Sequence, residues 1–146
     1  MTSSFTLAHT DIFYDSPVDL YENEEHEIFM TALQLSNCLE YESKANFKRF
    51  LNRHQNLRNE EFSRIELIPI WSSQWDDTLT PPHNSLVMRD TRVFSEDGIY
   101  EVCMLSRKPK AQEFRRHIRQ ILKSLRRGEM QLVATQPVQA LALQAQ

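Results

Sequence analysis

Apolar positions along the chain follow two rhythms, and the switches between them mark its elements. Asp11-Ile-Phe-Tyr-Asp and Val18-Asp-Leu-Tyr alternate apolar with polar residues, the period-two pattern of half-buried strands. Asn23-Glu-Glu-His then supplies a polar turn. From Phe29 to Leu39 the residues Leu35, Cys38 and Leu39 fall at i, i+3 and i+4, which predicts a helix with Thr31 as its N-cap. A second helix is expected from Lys44 to Leu57, capped by Ser43 and burying Phe47, Phe50 and Leu51. Arg64 to Ile70 reads as a strand, and Pro69 places it at a sheet edge or a strand end. Ser72 to Asn84 reads as a loop, and Arg89 to Phe94 returns as the partner strand of a hairpin.

Ser95-Glu-Asp-Gly-Ile-Tyr opens a third helix. Its capping hydroxyl and two acids suit the positive end of the helix dipole. Ile99, Val102, Cys103 and Met104 are expected to be buried. A fourth helix is bounded by Pro109, suited to a first turn, and Gly128, suited to the C′ position. Ala111, Phe114, Ile118, Ile121, Leu122 and Leu125 share one arc of its wheel. Arg115, Arg116, Arg119, Lys123, Arg126 and Arg127 share the adjacent arc. The elements add up to an α+β fold: a small single domain with a short antiparallel sheet or hairpin packed against about four helices. The domain is expected over residues 1–130. Residues 131–146, uncharged and rich in Gln and Ala, read as a linker or as a segment ordered by a partner.

Composition removes several chemistries. Two glycines, Gly98 and Gly128, cannot build a glycine-rich phosphate cradle. Two cysteines, Cys38 and Cys103, form no CxxC pair and are expected to be buried reduced thiols. The histidines His9, His26, His54, His83 and His117 show no HExxH and no i, i+4 pair. No catalytic residues, metal site or cofactor are therefore assigned, and a non-enzymatic protein is expected. The N-terminal residues lack the basic and apolar regions of a signal peptide, and no apolar run approaches a membrane span, so no membrane association is expected and the cytoplasm is the expected location.

The net charge of −3 conceals a strong segregation. Residues 1–43 carry nine acids and no Lys or Arg, whereas residues 44–58 carry five bases and no acid. Residues 107–127 carry nine bases against Glu113 alone. A solvated helix face is the ordinary origin of a charge run, but such a face usually mixes signs to gain i, i+4 pairs. The excess of like charge favours a polyanion, with double-stranded DNA foremost, or an acidic protein face. Arg107, Lys108, Arg115, Arg116, Arg119, Lys123 and Arg126 form the candidate nucleic-acid contacts, and Lys48, Arg49 and Arg53 a second cluster. Trp71 and Trp75 either mark a partner-binding surface or cap the core beneath a long loop.

The string Arg92-Val-Phe-Ser-Glu-Asp-Gly-Ile-Tyr-Glu-Val-Cys-Met-Leu-Ser-Arg-Lys-Pro-Lys-Ala-Gln-Glu-Phe-Arg-Arg-His-Ile resembles the Bro-N domain of baculovirus BRO proteins and of phage and prophage antirepressors. Ile28-Phe-Met-Thr-Ala-Leu-Gln-Leu and Leu39-Glu-Tyr resemble that family's F-M-T-x-x-Q-[LI] helix and L-G-Y exit, and the likeness runs from about Val18 to Leu132. The resemblance implies a DNA-binding phage-type regulator acting in a bacterial host cell. Its alternative is an antirepressor that sequesters a repressor or host protein, with homo-oligomerisation open. Three positions depart from the pattern: His117 replaces a usual Trp, Glu40 a usual helix-ending Gly, and Lys123 a frequent Pro.

Overall fold

The computed structural model describes residues 5–71 and 85–128. Its strands are β1 (Thr6–Phe13), β2 (Ser16–Glu22), β3 (Ile28–Thr31), β4 (Ser63–Trp71) and β5 (Leu86–Ser95). Its helices are α1 (Ala32–Cys38), α2 (Lys44–Arg53), α3 (Glu96–Leu105) and α4 (Lys110–Arg126), with a 3₁₀ turn at Gln55–Arg58. The strands form one antiparallel sheet in the order β1-β2-β3-β5-β4, so the expected hairpin is one edge of a five-stranded sheet. The α+β expectation holds, and Pro69 does sit in an edge strand, where its missing N–H costs no ladder bond.

Alternation along the strands builds two cores. Val18, Leu20, Met30 and Phe94 face the helices and pack with Leu35, Phe47, Phe50, Ile99, Phe114 and Ile118. Tyr21, Phe29, Ile68, Ile70 and Val93 face the other way and join Phe5 in a smaller core. The Tyr21 hydroxyl donates to the Pro69 carbonyl at 3.3 Å, although β2 and β4 stand three strand spacings apart, roughly 14 Å in a flat sheet. The sheet therefore curls around this second core.

Three expectations are corrected. Phe29 belongs to β3 and not to a helix, because this short central strand is buried on both faces and shows no alternation in sequence. α2 ends at Arg53, not Leu57, and the 3₁₀ turn after it re-aims Leu57 into the core. Met104 is 65% exposed, since α3 buries only the side carrying Ile99, Val102 and Cys103. The expected caps Thr31, Ser43 and Ser95 all accept from a first-turn amide. Gly128 takes φ 75° just beyond α4, as a C′ glycine does.

Glu40 takes the glycine role at the end of α1 without being glycine. Its φ is 66°, the Tyr41 amide donates to Ser36 and the Glu40 amide to Asn37, the paired bonds of a Schellman motif. A left-handed residue with a Cβ costs about 1 kcal/mol or more. Glu40→Gly is accordingly expected to stabilise the domain by about 0.5–1 kcal/mol, measured by urea unfolding.

The β1–β2 hairpin turns on Tyr14 and Asp15, both at positive φ, as a two-residue hairpin loop requires. It docks on α4: the Tyr14 hydroxyl donates to Glu113 at 2.7 Å and the Lys110 ammonium lies 3.2 Å from the Tyr14 ring centroid. His117, in the position of the family's usual Trp, keeps an aromatic contact there, 5.2 Å from the Phe13 ring. Its Nε2 approaches the Asp11 carboxylate at 3.3 Å without hydrogen-bonding geometry. Burial lowers the pKa of the neighbouring His9 below 6.5, Asp11 opposing the shift and His117 adding to it. The unfolded chain thus binds a proton at His9 that the folded chain refuses. The contribution of His9 to stability is complete above about pH 6.5 and falls as the pH drops below it. Melting temperatures at about pH 7.5 and about pH 5.5 are expected to differ less in His9→Gln than in the parent.

Candidate nucleic-acid interface

α3 and α4 are joined by Ser106-Arg107-Lys108-Pro109, and local bonds shape this connection. The Ser106 Oγ accepts from the Lys108 amide at 3.2 Å and lies 3.0 Å from the Tyr41 hydroxyl. Pro109 then enters α4 with helical angles, φ −58° and ψ −32°. The Lys108 ammonium lies 5.0 Å from the Tyr41 ring centroid. From the other side, the last turn of α2 brings Arg53 within electrostatic reach of the Tyr41 hydroxyl. Arg53, His54, Arg107 and Lys108 surround a cleft of about 950 Å³ floored by Tyr41 and Phe50, and among the described residues none that lines it is acidic.

Folding therefore brings one member of the first basic block, Arg53, together with Arg107 and Lys108 of the second. Lys48 and Arg49 are exposed on α2 outside this cleft, Arg49 bonding Asn46 at 2.9 Å. α4 leads away from the cleft without a break, through the position where the family often has Pro. Its buried residues Ala111, Phe114, Ile118, Ile121 and Leu122 face the core, leaving Arg116, Arg119 and Lys123 exposed. Arg115 is half-buried beside α3, near the Cys103 thiol.

Arg126 has a different setting. It pairs with Glu96 at the start of α3, within a second cleft of about 560 Å³ that also carries Glu22, Glu27, Glu61 and Asp97. That end of the molecule is acidic and unsuited to a polyanion. Arg119 and Arg126 both reach the Tyr100 hydroxyl electrostatically, but burial and the Glu96 carboxylate dominate and push that hydroxyl up to about 12.

Trp71 ends β4 and is 49% exposed. It is paired with Leu86, while Pro69 is paired with Met88. Directly opposed residues share a sheet face, so Ile65, Trp71, Leu86 and Met88, all exposed, form one apolar strip on the hairpin. Leu86 and Met88 did not stand out as candidates from sequence, although apolar residues on both faces of Ile65 to Trp71 were the available signal. Trp75 and the expected loop from Ser72 to Asn84 lie outside the described residues, as do residues 129–146.

Among the described residues, no group of three or more His, Cys, Asp or Glu side chains is arranged to hold a metal. Both cysteines are buried and free, with burial pushing each thiol up to about 12, which makes them poor nucleophiles. No helix among the described residues is long and apolar enough to cross a membrane.

Neither a curated protein nor a solved structure matches the chain significantly. The family model described as Bro-N, BRO family, N-terminal domain, matches residues 17–124 and so spans the sheet from β2 onward and nearly all of α4. With most of its length matched, the chain belongs to the BRO family through its N-terminal domain, a regulatory module of the phage antirepressor kind.

Proposed function

We propose that this domain is a non-enzymatic DNA-binding regulator that grips double-stranded DNA with the exposed face of α4 and the adjoining basic cleft. The observation that carries this reading is the meeting of Arg53 with Arg107 and Lys108 in a cleft with no acid among its described lining residues, from which α4 extends Arg116, Arg119 and Lys123 into solvent. Like charges held this close repel one another, and a phosphate backbone relieves the cost. Most of these contacts would set position and register and few would read bases, so binding is dominated by salt-sensitive phosphate contacts.

The test is a titration of labelled duplex DNA by fluorescence anisotropy over a range of salt concentrations. With about four to six phosphates contacted, log K is expected to fall against log salt with a slope of roughly −4 to −5. A flat titration at low salt overturns the reading.

The apolar strip on the β4–β5 hairpin favours a second reading, in which the domain binds a repressor or host protein. Surface patches of this kind commonly mark protein contacts. A stoichiometric protein complex that Trp71→Glu dissolves, together with no affinity for DNA, would establish that alternative.

A further inference from the structure

We propose that the cleft between α2 and the α3–α4 connection takes an unpaired nucleotide, stacking its base on Tyr41 and holding its phosphate with Arg53, Arg107 and Lys108. The inference rests on the DNA-binding reading and extends it to the structure of the DNA. A duplex backbone needs only cations on an accessible surface, which α4 and the basic rim of the cleft supply. It does not need the concave shape and aromatic floor beneath that rim. This cleft has both, with a volume of about 950 Å³, ample for a nucleotide.

The Tyr41 ring is held as a stacking platform. Phe47 and Phe50 brace it at centroid distances of 5.1 and 5.7 Å, and its hydroxyl is tied to the Ser106 Oγ at 3.0 Å. What covers the ring is the Lys108 ammonium, 5.0 Å from its centroid. A cation over a tyrosine at a partly open site is held more weakly than a base stacked on an aromatic ring. An entering base therefore displaces Lys108, whose flexible stem carries the ammonium to the phosphate that follows the base. Arg53 and Arg107 flank the same opening, and no carboxylate stands among the described residues of its lining.

The experiment compares, with the full chain at one salt concentration, a blunt duplex and the same duplex bearing a short single-stranded overhang with 2-aminopurine as the first unpaired base. The overhang is expected to tighten binding about tenfold and the 2-aminopurine fluorescence to be quenched as its base stacks. Tyr41→Leu should remove both the preference for the overhang and the quenching, and Tyr41→Phe should retain both because the ring does the stacking. Should Tyr41→Leu fail to fold, the parent's quenching and the Tyr41→Phe result still decide the matter. Equal affinity for the two DNAs without quenching overturns this inference and leaves the DNA-binding reading standing. No binding to either DNA overturns both.

Discussion

Replacing Arg116 and Arg119 together by glutamate is expected to weaken duplex binding by about 100-fold or more near 0.1 M salt and to flatten the salt slope by roughly 2. Both side chains are exposed and each lies one position beyond a half-buried or buried residue of α4, so the substitutions leave the core contacts of Phe114 and Ile118 untouched. The circular dichroism spectrum should not change. Arg126→Ala provides the contrast: it removes a cation of the same helix that is engaged with Glu96 beside other carboxylates, and binding should stay within about twofold. A double variant that binds DNA as its parent does would remove α4 from the interface.

Gly98→Ala is expected to cost about 3 kcal/mol or more and to lower the melting temperature by roughly 10 °C or more. A Cβ at Gly98 would stand 1.9 Å from the Phe62 carbonyl oxygen and 2.7 Å from its carbon, so backbone must move and no rotamer change suffices. That oxygen also accepts from the Ser95 amide at 3.0 Å, while the Ser95 hydroxyl caps the Gly98 amide at 3.1 Å. Moving α3 away from the start of β4 would disturb this junction at several points. The Gly-Ile-Tyr string of the family pattern thus has a steric reason here, distinct from any role in a tight turn. A melting temperature within a few degrees of the parent would show that the helix and the strand are less closely joined.

Legibility in the sequence depended on where the information was local. α3 and α4 could be read almost to the residue because Ser95, Pro109 and Gly128 mark their ends chemically. β3 could not, since a strand buried on both faces has lost its alternation, and the helix signal of Leu35 and Cys38 spread backward over Phe29. Glu40 looked like a weakened helix stop, yet the bonds from Glu40 and Tyr41 impose the left-handed turn without glycine. For the candidate interface, the wheel of α4 separated core from cations correctly. It could not show that Arg126 faces Glu96, because that pairing depends on how α3 packs across it. Nor could it show the cleft, whose walls come from segments about fifty residues apart in the chain.

The strand order carries a consequence for how the chain is made. β5 lies between β3 and β4, although β4 precedes it in sequence. A nascent chain that has emerged only as far as β4 holds the β1-β2-β3 meander with its β3 edge uncovered and a β4 that has no neighbour in the sheet. Emergence of β5 joins the two pieces at once, and only then can α3 and α4 lay their apolar faces on the sheet. At synthesis rates of about 5–20 residues per second, the exposed edge persists for seconds. Ribosome-bound chains ending just before and just after β5 should therefore differ sharply in protease resistance, with the second half of the molecule acting as the completing partner of the first.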